Sequence, residues 1–201
     1  MAPRRWRVSR RGSKVCAHIL RKAAREGRFL FGLETGINCL RNHYICFMRL
    51  IYVDTSVFGG RFDREFAEWT DRFFRKVDKT DIRLIFSDVA EDELVNAPEA
   101  VRQFVGQIAE KNLIRVQLTE EAILLAEAYL NANVVGRSSR ADCYHIALAT
   151  LYRADLLVSW NFKHIVNIER IHGYNAINLL KGYQILEIRN PREAFDYEDG
   201  E

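Results

Sequence analysis

Residues 138–164 constrain the fold of this chain more than any other stretch, because a helical pattern runs there into a doubly buried strand and then a polar turn. Ser138 or Ser139 can cap the helix start, since a serine hydroxyl accepts from the free N–H groups of a first turn. Ala141, Ile146, Ala147, Ala149, Thr150 and Leu151 then make a smooth, small-residue helix of the kind that packs flat on a sheet. Leu156, Leu157 and Val158 form a short continuous apolar run, as expected of a strand covered on both faces. The turn Ser159-Trp160-Asn161 follows at the carboxyl end of that strand, which is where ligands bind in open α/β sheets. Asp142 lies in the first turn of the helix, so one unit presents an acid and an amide to one place.

The pattern upstream is of the same kind. Arg49 to Val53 reads as a strand ending at Asp54-Thr55-Ser56, with Gly59-Gly60 closing a turn. Phe62, Phe66, Trp69, Phe73, Phe74 and Val77 fall at helical spacing, an amphipathic helix of about four turns. Ile82 to Phe86 is a second strand, and Ser87 caps a short helix after it. Pro98 starts another helix, with Val101, Phe104, Val105 and Ile108 inward. Leu113 to Val116 is a third strand, and Thr119 caps the helix through Ile123, Ala126 and Leu130. Beyond residue 164 the pattern predicts a helix near Asn167–Ile171 and a late strand over 184–188. Strands alternating with helices predict an α/β protein: a three-layer α/β/α sandwich around a mostly parallel sheet of four to five strands. No GxGxxG or Walker-type glycine loop is present, which disfavours the nucleotide-binding members of this class.

The net charge of +3 hides a division. Residues 1–47 carry eleven Lys and Arg against two Glu, a net +9, while the rest of the chain has nineteen bases and 25 acids, a net −6. Residues 1–47 show no helical or strand period. Three readings stay open for them: a basic, disordered nucleic-acid-binding arm, an Arg-rich targeting peptide, or translation from too early a start, with Met48 the true one. The expected organisation is this extension, a domain over 48–195 and an acidic tail over 196–201. The four cysteines, Cys16, Cys39, Cys46 and Cys143, form no CxxC pair and read as reduced thiols of a cytoplasmic protein rather than a disulfide frame or zinc site. No stretch is long and apolar enough for a membrane span.

Four polar residues recur at the junctions of these elements. Asp54 ends the first strand, and Asn161 ends the strand Leu156–Val158. Glu93 lies on the helix after the second strand, and Asp142 opens the helix at the start of the 138–164 stretch. If the two strands are neighbours, their carboxyl ends bring Asp54 and Asn161 together, with Asp142 and Glu93 closing the ring. Clustered carboxylates repel one another unless a cation lies among them. Oxygen ligands suit a hard divalent ion, Mg²⁺ or Mn²⁺. Such an ion lowers the pKa of a bound water and neutralises charge on phosphorus, the requirements of phosphodiester hydrolysis. Each residue also has a plainer role: Asp54 and Asp142 as helix-start residues, Glu93 as a solvated acid with Glu91 or Asp92 inward instead, and Asn161 as a turn residue. His145, on the face of Asp142, reads as a satisfied core histidine. Lys163 and His164 suit either phosphate contacts or solvent.

Val53-Asp54-Thr55-Ser56 after an apolar strand, Ser87 with Glu93-Leu94, Asp142 with His145-Ile146-Ala147, and Leu157 to Asn161 together resemble a PIN-domain nuclease, nearest to the VapC-like toxins and their relatives. The resemblance covers about residues 49–195. It implies Asp54, Glu93 and Asp142 as metal ligands and Asn161 as a fourth catalytic position. The family usually has an aspartate there, so the amide removes one negative charge. It further implies an RNA substrate, in-line hydrolysis leaving a 3′-hydroxyl, a homodimer and an antitoxin partner. The expected function is thus a Mg²⁺- or Mn²⁺-dependent endoribonuclease, the toxin of a toxin–antitoxin pair. The alternative is a catalytically weak PIN-like module that binds RNA or a protein partner. Because affinity for RNA comes mostly from phosphate contacts, the acidic body leaves Arg61, Arg137, Arg140 and Lys163 as the bases expected to line the groove.

Overall fold

Alternating side chains on β1 (Arg49–Val53) divide the interior into two layers. In the computed structural model, which describes residues 49–195, Ile51 and Val53 enter one apolar cluster and Tyr52 enters the other. The same alternation continues through β2 (Ile82–Ser87), where Leu84 and Phe86 side with Ile51 while Ile85 sides with Tyr52. Such period-two placement, buried on both faces, requires helices above and below the sheet.

One face is covered by α1 (Thr55–Gly60), α2 (Ala67–Lys79), α3 (Asp88–Val95) and α4 (Glu99–Gln107). The other is covered by α5 (Glu120–Asn131), α6 (Arg140–Leu151) and α7 (Ile168–Leu180). Between them lies a five-stranded sheet completed by β3 (Leu113–Val116), β4 (Leu156–Val158) and β5 (Ile188–Arg189), in the order β3-β2-β1-β4-β5. Every pairing is parallel. Residues 49–195 therefore form a three-layer α/β/α sandwich, as expected, with the sheet wholly rather than mostly parallel among the described residues. Strands are laid down outward from β1 to β3, and the chain then returns to the other side of β1 for β4 and β5. The order reverses between β1 and β4, so the crevice at their carboxyl ends is the topological switch point.

Four local expectations are corrected. Gly59-Gly60 does not close a turn but ends α1, which starts at once because the Asp54 carboxylate accepts from the Ser56 N–H (3.3 Å). Phe62 and Phe66 precede α2 rather than riding on it, because Asp63 holds a turn there: its carboxylate accepts from the Glu65 N–H (2.8 Å) and its carbonyl from the Ala67 N–H (2.8 Å). Neither serine caps α6 through its side chain; residues 137–139 make a 3-10 turn instead. At the end of the domain, α7 runs far past Ile171 to Leu180, and β5 begins only at Ile188. The side chain of Asn175 on α7 explains the late start of β5, accepting from the Leu186 N–H (2.7 Å) and donating to its carbonyl (3.1 Å), so a helix amide takes the bonds a strand partner would take. The caps expected of Ser87 and Thr119 are present, each hydroxyl accepting at 3.2 Å from an N–H of its helix's first turn.

Among the described residues no helix is long and apolar enough to cross a membrane. Cys143 is a buried free thiol, pushed up to about 12 by burial. The basic extension with Cys16, Cys39 and Cys46, and the acidic tail over 196–201, lie outside the described residues.

Candidate metal centre

Asp54 leaves the end of β1 straight into the cap of α1, which fixes its carboxylate in the crevice between β1 and β4. It is almost wholly buried, at 5% exposure. Two hydroxyls donate to it: Ser159, from the end of β4 (2.8 Å), and Ser56, through a short bond. The Asp54 N–H donates to the Val158 carbonyl (3.0 Å), which ties the two strand ends together.

Glu93 reaches the same place from the middle of α3. Its carboxylate accepts from the Thr55 hydroxyl (2.5 Å) and lies 3.3 Å from His145 Nε2. Glu91, one of the alternative inward acids, is paired with Arg115 on β3 and points elsewhere. Glu93 is therefore the inward acid of the three in Glu91-Asp92-Glu93.

His145, on α6, is where the sequence reading falls short. The residue is buried, as expected of a core histidine, but Nε2 faces the acids, lying 3.6 Å from Asp54 as well. On its other side Nδ1 is 2.8 Å from the Tyr52 hydroxyl, which is 2.7 Å from the Ser87 hydroxyl. One ligand atom each from Asp54, Glu93 and His145 lie within 4.8 Å of one another, the spacing of a cation site. The signal that could have found His145 is its place one turn after Asp142 on the face that carries Asp142.

Asp142 does not belong to that close group. It stands beside it, within electrostatic reach of Asp54, His145 and His164. Asn161 donates through its side-chain amide to the Asp142 carboxylate (2.8 Å), while its carbonyl oxygen accepts from the His164 N–H (3.1 Å). All four expected residues thus converge on the switch point, where Asp54 and Glu93 share the close group with His145, and Asp142 stands beside it with Asn161.

The electrostatics follow from this packing. Burial lowers the affinity of His145 for a proton, but the bond to Glu93 and the charges of Asp54, Glu93 and Asp142 outweigh it and hold the imidazole above its ordinary value. Burial raises Glu93, yet His145 and Thr55 together hold it below the usual glutamate range. Asp142 is held above its ordinary value by burial and by the Asp54 charge, against the pull of His164, Ser139 and His145. Of the bases expected to line a groove, Arg61 is paired with Asp71 (3.0 Å) and Arg140 with Glu127, while Lys163 and Arg137 are exposed.

No protein-family model matches the chain, and no curated protein does. Among solved structures, a chain in the crystal structure of VapBC2 from Rickettsia felis, bound to a DNA fragment from their promoter, is similar at 12% identity. That likeness covers 70% of this chain and 98% of the other, with a TM-score of 0.44. A likeness of this size establishes neither family nor activity.

Proposed function

We propose that the protein is a divalent-metal-dependent endoribonuclease that hydrolyses RNA phosphodiester bonds. The observation that carries the reading is the convergence of Asp54, Glu93 and His145 ligand atoms within 4.8 Å at the topological switch point, with the Asp142–Asn161 pair alongside. The donor set fits a cation: two carboxylates and an imidazole nitrogen from three separate elements, beside a further acid, Asp142, held above its ordinary range. A nitrogen ligand favours a first-row transition ion over Mg²⁺, so Mn²⁺ is the better match of the two expected. Asp54 and Glu93 are the proposed ligands, with His145 as the nitrogen donor. Asp142 then acts as a direct or water-mediated ligand, and Asn161 as the residue that aims it.

For His145 to ligate, Nε2 must be free of its proton, so Nδ1–H donates to the Tyr52 hydroxyl, which donates to Ser87. Such an outer hydrogen bond fixes the tautomer and the ring's orientation. Glu93, 35% exposed at its side chain, is an acid that water can reach. Its carboxylate is held ionised and can accept the proton of an attacking water. The bound metal would supply acidification of that water and neutralisation of charge at phosphorus. By resemblance, the products carry a 3′-hydroxyl, the chain acts as a homodimer, and an antitoxin blocks the site. One observation favours the alternative, a catalytically weak module that binds RNA or a protein partner: a protonated His145 can donate from Nε2 to Glu93 (3.3 Å) and offset the neighbouring Asp54 charge (3.6 Å) without any metal.

The test is cleavage of labelled single-stranded RNA by the purified full chain with Mn²⁺, with Mg²⁺ and with EDTA, beside Asp142→Asn. Metal-dependent cleavage that drops about ten- to a hundredfold in the variant supports the reading, since loss of a metal ligand's immediate support has effects of that order. Intact RNA under every metal condition refutes it. Cleavage surviving both EDTA and Asp142→Asn refutes the assigned site.

A further inference from the structure

We propose that the cleft beside the carboxylates, walled by Phe66, Trp69, Trp160 and Phe162, seats an unpaired nucleobase of single-stranded RNA. The proposal rests on the RNA reading above for the nature of the ligand, but not on cleavage. The cavity holds about 440 Å³, within the roughly 300–1,000 Å³ of sites that take small organic groups. Its place is fixed relative to the acids. The Trp160 N–H donates to the Ser56 hydroxyl (2.9 Å), and that hydroxyl donates in turn to Asp54. Trp160 and Phe162 flank Asn161 in sequence, so the walls of the cleft and the anchor of Asp142 belong to one turn.

Two features separate this cleft from ordinary core. The first is the arrangement of rings. Phe66 stacks on Trp160 at 4.4 Å and 20°, and the indole N–H is taken up by the Thr70 hydroxyl (3.0 Å), so this pair is a rigid, prepared surface. Phe162 lies 5.9 Å from Trp160 at 50° and is 46% exposed, an aromatic ring turned to solvent at the mouth. Base–aromatic stacking is tolerant of sequence, because every base has a π face. The second feature is charge. The Arg192 guanidinium lies 5.0 Å over the Trp69 ring, which places a cation beside the aromatic wall where a backbone phosphate would pass. Cavities at the β3 edge of the sheet hold a different cation, Arg115, which is paired with Glu91 and Glu110. Glu65 and Glu193 also stand at the rim of the aromatic cleft, and their charge repels phosphate. The rings are therefore the main source of affinity, with Arg192 steering the strand.

The test uses the full chain in EDTA, so that nothing is cleaved, and a single-stranded oligoribonucleotide carrying 2-aminopurine, whose fluorescence falls on stacking. Wild type is expected to bind and quench. Phe162→Ala should weaken binding about tenfold and relieve the quench, and Phe162→Tyr should restore both. Arg192→Ala should weaken binding and make the salt dependence shallower by about 0.7 in slope. Unfolding temperatures of the variants equal to wild type exclude a folding defect. The proposal is overturned if wild type fails to bind, or if Phe162→Ala binds and quenches as wild type does, which is the result expected of a cleft that takes a peptide side chain from a protein partner. Phe162-dependent binding without any cleavage in Mn²⁺ would retain the base seat and remove the nuclease. Cleavage with binding indifferent to Phe162 would do the reverse.

Discussion

Replacing Asn161 by aspartate restores the acid that the PIN resemblance leads one to expect, yet the geometry makes it damaging in the absence of metal. The wild-type amide donates to the Asp142 carboxylate at 2.8 Å. In Asn161→Asp a carboxylate faces a carboxylate at that place, next to a second acid, Asp54, that already raises Asp142. Two like charges 4 Å apart repel by about 4 kcal/mol at an effective dielectric of 20. Because Asp142 is only part-buried, solvent screening reduces this to about 2 kcal/mol. The lost hydrogen bond to a charged acceptor adds about 1.5–3 kcal/mol. At about 2–4 °C per kcal/mol for a domain of this size, the variant should melt roughly 10 °C lower in EDTA at neutral pH. The defect should shrink in acid, where one carboxyl takes a proton, and in excess Mn²⁺, where a cation separates the charges. The assay is thermal unfolding followed by circular dichroism across these conditions. An unfolding temperature equal to wild type in EDTA would falsify the pairing of Asn161 with Asp142. A defect that Mn²⁺ leaves untouched would remove the pair from the cation site.

Two further outcomes follow from the same geometry. His145 is held above its ordinary value, so the stability it contributes is present below about pH 6.5 and is lost as pH rises through its folded value. Mn²⁺ needs Nε2 without its proton, so stabilisation by metal should grow over that same range. Unfolding temperatures in EDTA and in Mn²⁺ should therefore diverge as pH rises above about 6.5, the ordinary histidine value, and parallel curves would remove His145 as a ligand. Glu93, held low, loses its contribution only as pH falls below the ordinary glutamate range, and Asp142, held high, opposes it there, which leaves the alkaline limb as the clean readout. Gly60→Ala would set a Cβ 2.6 Å from the Trp160 indole, closer than real contacts allow. The variant should lose about 1–3 kcal/mol through overpacking and shift the tryptophan emission, and a spectrum and unfolding temperature like wild type would contradict the packing.

The parts of the fold legible in the sequence are those whose signal is local. Leu156-Leu157-Val158 and Ile82 to Phe86 are apolar runs bounded by polar turns, and the helices between them carry their own period and caps at Ser87 and Thr119. The parts that were not legible are made by distant partners. Thr55 to Gly60 contains two glycines and has little helical propensity of its own. It is helical because Asp54 caps it and because Gly60 has no side chain to collide with Trp160, a hundred residues on. The strand Ile188–Arg189 is set back by an amide on α7 that the pattern gives no reason to single out.

The same distinction explains why Asp54 could be named from the sequence and His145 could not. Asp54 stands at the end of a strand, a position with chemical meaning in any parallel sheet. A histidine on a small-residue helix takes its meaning from its two nitrogens, and here those face Tyr52, 93 residues away, and Glu93, 52 residues away. His145 and Asn161 also depart from an all-carboxylate site in one direction. Asn161 withdraws a negative charge and uses its amide to aim Asp142, while His145 brings a nitrogen donor whose hold on a proton is raised by the acids around it. A site with less negative charge and a nitrogen ligand gives up affinity for Mg²⁺, which depends on charge and oxygen, and keeps it for ions that bind imidazole well. The proposed preference for Mn²⁺ thus rests on the two residues that a reading by motif would have treated as a core histidine and a missing acid.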